Sequence, residues 1–183
     1  MIPALIIATH IALRLFTVEA SSSIKYSVDI PIERIKAYGD DIGLLSRNMP
    51  GVTAIQQIAP NRYLYKTRKS VPLSSDMKLD FTIERSLSGE TTVYESVQPN
   101  DPNYMRCAVR LVPLGESRTG FEISLRLRLQ REDASDVHWL APIVGEKFLS
   151  EQMSDDMKEM LEEFKQRASA ELYNKLGRGT GRQ

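Results

Sequence analysis

The last quarter of the chain constrains what the rest can be. From Leu140 to Leu176 apolar side chains recur at helical spacing: Ile143, Leu149, Met153, Met157, Met160, Leu161, Phe164, Ala168 and Leu172. Steps of three or four residues place these side chains on one face of a single helix. Pro142 suits the first turn, where its missing N–H is not needed. Gly177 and Gly179 stop the helix. A helix of roughly 35 residues is about 50 Å long at ~1.5 Å per residue. It follows a long run of strand-like segments, and a long helix lying across a sheet is the plan of a grip around a cavity.

The strands show as period-two alternation. Ile24, Tyr26, Val28 and Ile30 alternate with Ser23, Lys25, Ser27 and Asp29, so a first strand runs from Ser21 to Ile30 with one buried face. Pro31 opens a short helix, Ile32 to Tyr38, ended by Gly39. A second begins at Asp40 or Asp41 and runs to Asn48, and Pro50-Gly51 turns the chain out of it. Six strands follow: Val52–Ile58, Arg62–Lys69, Met77–Glu84, Thr91–Val97, Met105–Leu111 and Phe121–Gln130. Their tight connections imply antiparallel hairpins. Each has one polar face, so the sheet meets water on one side and the long helix on the other.

Composition narrows the class. With 183 residues, 42% of them hydrophobic, the chain can bury one core, and two domains would be cramped. Lys plus Arg is 24 and Asp plus Glu is 24, so there is no electrostatic case for nucleic acid. One cysteine excludes an internal disulfide and a Cys-based zinc cluster, and His10 and His138 lack metal-site spacing. No metal and no cofactor is expected. The acidic run Asp155, Asp156, Glu159, Glu162 and Glu163 reads, with Lys158 and Lys165, as ordinary ion pairing on the wet face of the helix.

Residues 1–20 stand apart as an N-terminal extension. Met1 to Phe16 is apolar, but His10 and Arg14 interrupt it, and a membrane span needs about 20 predominantly apolar residues. Three readings compete: a cleaved signal, which lacks a basic n-region, an extra amphipathic helix, and an over-long start. The extension is excluded from the fold, the chain is taken as cytoplasmic by default, with secretion as the minor alternative, and no integral span is expected. The domain proper is 21–176, and residues 177–183 are expected to be a disordered tail.

The order of strand, two short helices, six strands and long helix carries a resemblance. On Val28-Asp29-Ile30-Pro31-Ile32-Glu33, Met49-Pro50-Gly51-Val52 and the stretch from Leu140 through the helix, the chain resembles the superfamily of START lipid-transfer domains, polyketide cyclases and birch-pollen-allergen-type proteins. The nearest branch looks like the carbon monoxide dehydrogenase G-like proteins. The resemblance implies an α+β helix-grip fold: a curved seven-stranded antiparallel sheet around the C-terminal helix, with an apolar cavity between them. Members include lipid carriers, cyclases, hydrolases and ligand receptors, and fold alone does not fix activity.

Such a cavity would be lined by Tyr63, Tyr65, Phe81, Cys107, Leu125 and Leu127 from strands, and by Met153, Met157, Met160 and Phe164 from the helix. The methionines give an adaptable lining; the plainer reading is that all of these residues pack a core. Tyr63, Tyr65 and Tyr94 could orient a ligand through their hydroxyls. Glu95 shares parity with Val93 and Val97, which would turn it inward, raise its pKa and make it the weak catalytic candidate; the alternative is a solvated Glu95 on an irregular strand. His138 and Trp139, just before the long helix, would border the cavity mouth or simply staple the helix start. Cys107 reads as an inert buried thiol.

The function these features favour is binding of an apolar small molecule: a lipid, isoprenoid, pigment or polyketide-like compound. The alternatives are an accessory protein that binds a protein partner, and an enzyme of cyclase or hydrolase type using the same cavity. No motif forces two polar groups to converge as catalysis requires. The oligomeric state is left open.

Overall fold

A computed structural model of the chain describes residues 15–39, 42–69 and 77–177. β1 (Phe16–Val28) leads to two short helices, α1 (Ile32–Gly39) and α2 (Ile42–Asn48). β2 (Val52–Ala59), β3 (Arg62–Lys69), β4 (Met77–Ser88), β5 (Thr91–Ser96), β6 (Asn103–Pro113) and β7 (Thr119–Arg131) follow. A single 3-10 turn, Ala134–Asp136, then precedes α3 (Ala141–Leu176). The strands form one antiparallel sheet in the order β1-β7-β6-β5-β4-β3-β2. β2 to β7 are a meander of hairpins. α1 and α2 carry the chain from one edge of the sheet to the other, so the first strand pairs with the last. The order of elements is the one read from the alternation, and together they make the helix-grip α+β fold that the resemblance implies.

The turn into β2 depends on Gly51. Its φ is +79°, its carbonyl accepts from the Arg68 N–H at 2.8 Å, and a Cβ there would meet the Arg68 carbonyl at 3.1 Å. Only glycine takes that conformation cheaply.

β1 begins earlier than Ser21. Val18 and Ala20 are buried and continue the inward set Ile24 and Val28, while Thr17 and Glu19 pair outward in register with Gln130 and Arg128. The expected start of the first strand at Ser21 is therefore corrected: β1 takes in residues 16–20. Their alternation was hidden because it adjoins the apolar run before Phe16. Residues 1–14 and the tail at 178–183 lie outside the described residues, as do Asp40 and Asp41.

α3 covers the concave side of the sheet. Met157, Leu161, Phe164, Ala168 and Leu172 are buried along it, as the stripe requires. They join Tyr65, Phe81, Ile83, Tyr94, Cys107 and Leu125 in the main core. A smaller core of Val28, Ile30, Ile35, Phe121 and Leu172 lies under α1. The stripe fails at its start. Gly145 adopts φ 79°, ψ 171°, a region essentially reserved for glycine, and breaks the helix into a first turn and a long remainder. Ile143, ahead of the break, is 79% exposed and does not belong to the inward face.

α3 also covers the free edge of β1, the strand to which its backbone lies closest. The Thr17 N–H donates to Glu146 Oε1 at 2.8 Å, Glu19 N–H to Ser150 Oγ at 3.1 Å, and Asp29 N–H to the Tyr173 hydroxyl at 3.1 Å. Near its end, Glu171 clasps both short helices. It accepts from the Tyr38 hydroxyl (2.5 Å), Arg47 (3.0 Å) and the buried Asn48 amide (2.5 Å). Burial alone pushes the Glu171 carboxyl up, but these three hydrogen bonds and the Arg47 charge outweigh it and hold it below its ordinary value.

Two outcomes test this arrangement. Phe164→Ala should cost roughly 3–5 kcal/mol in a denaturant melt, whereas Glu162→Ala, on the exposed face, should stay within about 0.5 kcal/mol. The depressed Glu171 pKa means that its contribution to stability is present above the unfolded value, about 4.3, and is lost as pH falls through the folded value. Glu171→Ala should therefore cost about 1–3 kcal/mol at neutral pH, the scale of a buried donor losing its acceptor. In urea melts its gap to the wild type should close as the pH drops below about 4.

Candidate functional site

The concave face is built from cross-strand rows. One row runs Ser22, Leu125, Cys107, Tyr94, Arg85 across β1, β7, β6, β5 and β4. Beside it Tyr63 pairs with Ile83 and Tyr65 with Phe81. α3 faces these rows with Met153, Met157, Met160, Leu161 and Phe164. All ten residues expected to line the site come together here. Tyr65, Phe81, Cys107, Leu125, Met157 and Phe164 are buried in one cluster, and Tyr63, Leu127, Met153 and Met160 pack half-buried against it. The Tyr65 and Phe81 rings tilt at 56° with centroids 6.4 Å apart. Two hollows in the structure lie elsewhere. One runs along the exposed face of α3 by Asp155, Glu159 and Glu162, and the other lies over Ser21, Ser23 and Ser124 between Arg106 and Arg126.

Polar groups on this face are few, and their chemistry follows from burial. Burial pushes the Tyr65 hydroxyl well above its ordinary pKa, with a smaller push from Cys107. Tyr94 is also raised by burial, against the pull of the Arg85 guanidinium, which hydrogen-bonds it. The Cys107 thiol is pushed up to about 12 by burial, with Arg106 opposing. All three groups are held neutral near pH 7, and the charged side chain that hydrogen-bonds Tyr94 is that of Arg85.

Arg85 was missed in the sequence, where the strand stopped at Glu84. The signal was present: Arg85 continues the inward series Leu79, Phe81, Ile83. Its N–H donates to the Asn61 carbonyl at 2.7 Å, which extends the ladder past that point.

Of the two readings of Glu95, the inward one is corrected. The residue lies on the outer face, accepts from the Tyr104 hydroxyl at 2.5 Å, and stands 3.6 Å from Arg106. Tyr94 and Ser96 turn inward in its place, the Ser96 hydroxyl accepting from the Met105 N–H at 2.9 Å. Val93 misled the parity, because it is buried on the outer side beside Ala108. The same outer face carries cross-strand ion pairs such as Lys25–Glu122 at 2.7 Å and Arg126–Glu19 at 3.2 Å. Exposed pairs of this kind add little stability.

His138 and Trp139 stand where the 3-10 turn meets α3. The Leu140 N–H donates to His138 Nδ1 at 3.1 Å, a contact local to the turn, and Trp139 is 51% exposed with its ring 6.0 Å from the imidazole. Among the described residues no group of three or more His, Cys, Asp or Glu could hold a metal, and no helix is long and apolar enough to cross a membrane.

No family model matches the chain, and no curated protein is significantly similar to it in sequence. Solved structures are similar in shape. A START superfamily protein from Mycobacterium smegmatis superposes with TM-score 0.59 at 14% identity, covering 84% of this chain and 97% of that one. The di-domain aromatase/cyclase of the steffimycin biosynthetic pathway does so at 0.58 and 14%, over 87% of this chain and 52% of that one. The fold is START/polyketide cyclase-like. A conserved protein from Geobacillus kaustophilus shares this helix-grip with TM-score 0.57 at 13% identity, over 86% of this chain and 96% of that one. The carbon monoxide dehydrogenase G-like branch rests on the sequence pattern alone.

The state of Cys107 gives a direct check on the interior. In native protein at about pH 8 its thiol should react with a disulfide reagent orders of magnitude more slowly than in the urea-unfolded chain, where an ordinary pKa of about 8.5 returns.

Proposed function

We propose that the chain binds an apolar small molecule between the concave face of the sheet and α3, with Arg85 and Tyr94 orienting its polar end. The observation that carries this reading is the composition of the concave face. Ten apolar or aromatic side chains from four strands and one helix converge there, and the inward Arg85 sits beside Tyr94, to which it hydrogen-bonds. A cation at the margin of an apolar surface suits a ligand with a hydrocarbon body and a carboxylate or similarly electron-rich end. Met153, Met157 and Met160 have unbranched, adaptable side chains that can repack around different bodies. His138 and Trp139, just before α3, are the residues we assign to the entrance of such a site; the half-exposed Trp139 ring supports this reading. The START/polyketide cyclase-like fold supports the reading as an analogy of shape. Glu95, the acid/base residue an enzymatic reading would have used, stands on the outer face.

A titration with a neutral naphthyl probe and its carboxylate-bearing analogue tests this. The wild type should bind both and prefer the carboxylate. Arg85→Met should keep the neutral probe and lose the preference. Met157→Trp should fold and bind neither, because the indole occupies the ligand's space. In a permanently solid core the same tryptophan would overpack at a cost of typically about 1–3 kcal/mol, with no probe binding to lose. That result would leave a plain packed domain.

A further inference from the structure

The Tyr26 hydroxyl is buried and has no hydrogen-bond partner among the described residues. Burial without a partner costs free energy, so such groups in folded proteins call for an explanation. The ring cannot swing away to solve the problem. It stacks on Phe121 with centroids 4.8 Å apart and planes within 1°. Packing does not need the oxygen either, since a phenylalanine would fill the same ring space. The fully buried inward residues of β1, Val18, Ala20, Ile24 and Val28, are all apolar, while Tyr26 is partly buried with its hydroxyl oxygen shielded from solvent. Tyr26 packs against both core clusters, so the residue stands at the seam between the main core under α3 and the smaller one under α1. Burial raises its pKa far above the ordinary phenol value, so it keeps its proton and is a donor.

We propose that Tyr26 donates a hydrogen bond to a carbonyl-type oxygen of the bound molecule, so that the ligand is an oxygenated apolar compound rather than a plain hydrocarbon. This rests on the binding role proposed for the concave face. It adds to Arg85 and Tyr94 a third polar contact, on β1, four strands across the sheet from Arg85 on β4. The hydroxyl then obtains the partner that the fold itself does not supply. Discrimination comes from the asymmetry of burial: a hydrocarbon leaves the donor orphaned, whereas a ketone satisfies it.

The test uses the full chain and a matched pair of probes, 2-acetylnaphthalene and 2-ethylnaphthalene, one carrying a ketone and the other none. Wild type and Tyr26→Phe are titrated with each by calorimetry, and both unliganded proteins are melted in urea. The wild type should bind the ketone more tightly. Tyr26→Phe should lose about tenfold in ketone affinity, the scale of one hydrogen bond, with hydrocarbon affinity unchanged. The unliganded variant should be at least as stable as the wild type, because the hydroxyl it lacks was unsatisfied. An unchanged ketone affinity, an equal loss for both probes, or a less stable unliganded variant would each overturn the assignment of Tyr26 while leaving binding intact. Failure of both probes to bind the wild type would remove the binding reading itself.

Discussion

The free edge of β1 sets the closure of this molecule. In a sheet ordered from β1 to β2 the first strand has no neighbour on one side, and its outward N–H groups would pair with any chain that offered acceptors. α3 supplies them with side chains. Glu146, Ser150 and Tyr173 accept from the N–H groups of Thr17, Glu19 and Asp29 along most of the helix. These bonds hold the helix at one margin of the sheet, with its inward stripe leaning over the concave face. Close approach to β1 leaves the farther strands to be reached by long side chains, and the sequence provides methionines and a phenylalanine for that span. Edge protection and core closure thus fall on the same helix.

That geometry explains the chemistry of the interior. Strands that bend around a helix expose their concave rows to apolar contact alone, so tyrosines and the cysteine there lose solvent and hold their protons. Arg85 retains a place because it lies near the far end of β4, where the row of Ser22, Leu125, Cys107 and Tyr94 ends. Glu171 performs the corresponding task at the other end of α3, joining α1 and α2 to it through three donors.

Much of this is legible in the chain. Period-two alternation located seven strands because each has one wet face, and the helical stripe from Met157 to Leu172 is buried because nothing interrupts it. The misreadings have local causes. The first residues of β1 look like a continuation of the apolar run before them. Gly145 sits inside a helical pattern, and its identity alone does not reveal a positive φ. Val93, buried on the outer side, reversed the apparent parity of β5 and with it the expected place of Glu95. The Glu171 clasp joins residues more than a hundred positions apart, and the Tyr26 hydroxyl becomes an orphan only once its tertiary neighbours are known. Pattern finds faces; partners need the fold.

Whether the concave face holds a molecule can be seen most directly in the mass of the folded protein. Native mass spectrometry of the chain purified from its own host should show a bound species a few hundred daltons above the polypeptide. That species should be released on denaturation and recovered in an apolar solvent. A single bare mass, with nothing apolar extracted from the purified protein, would contradict a ligand-binding interior.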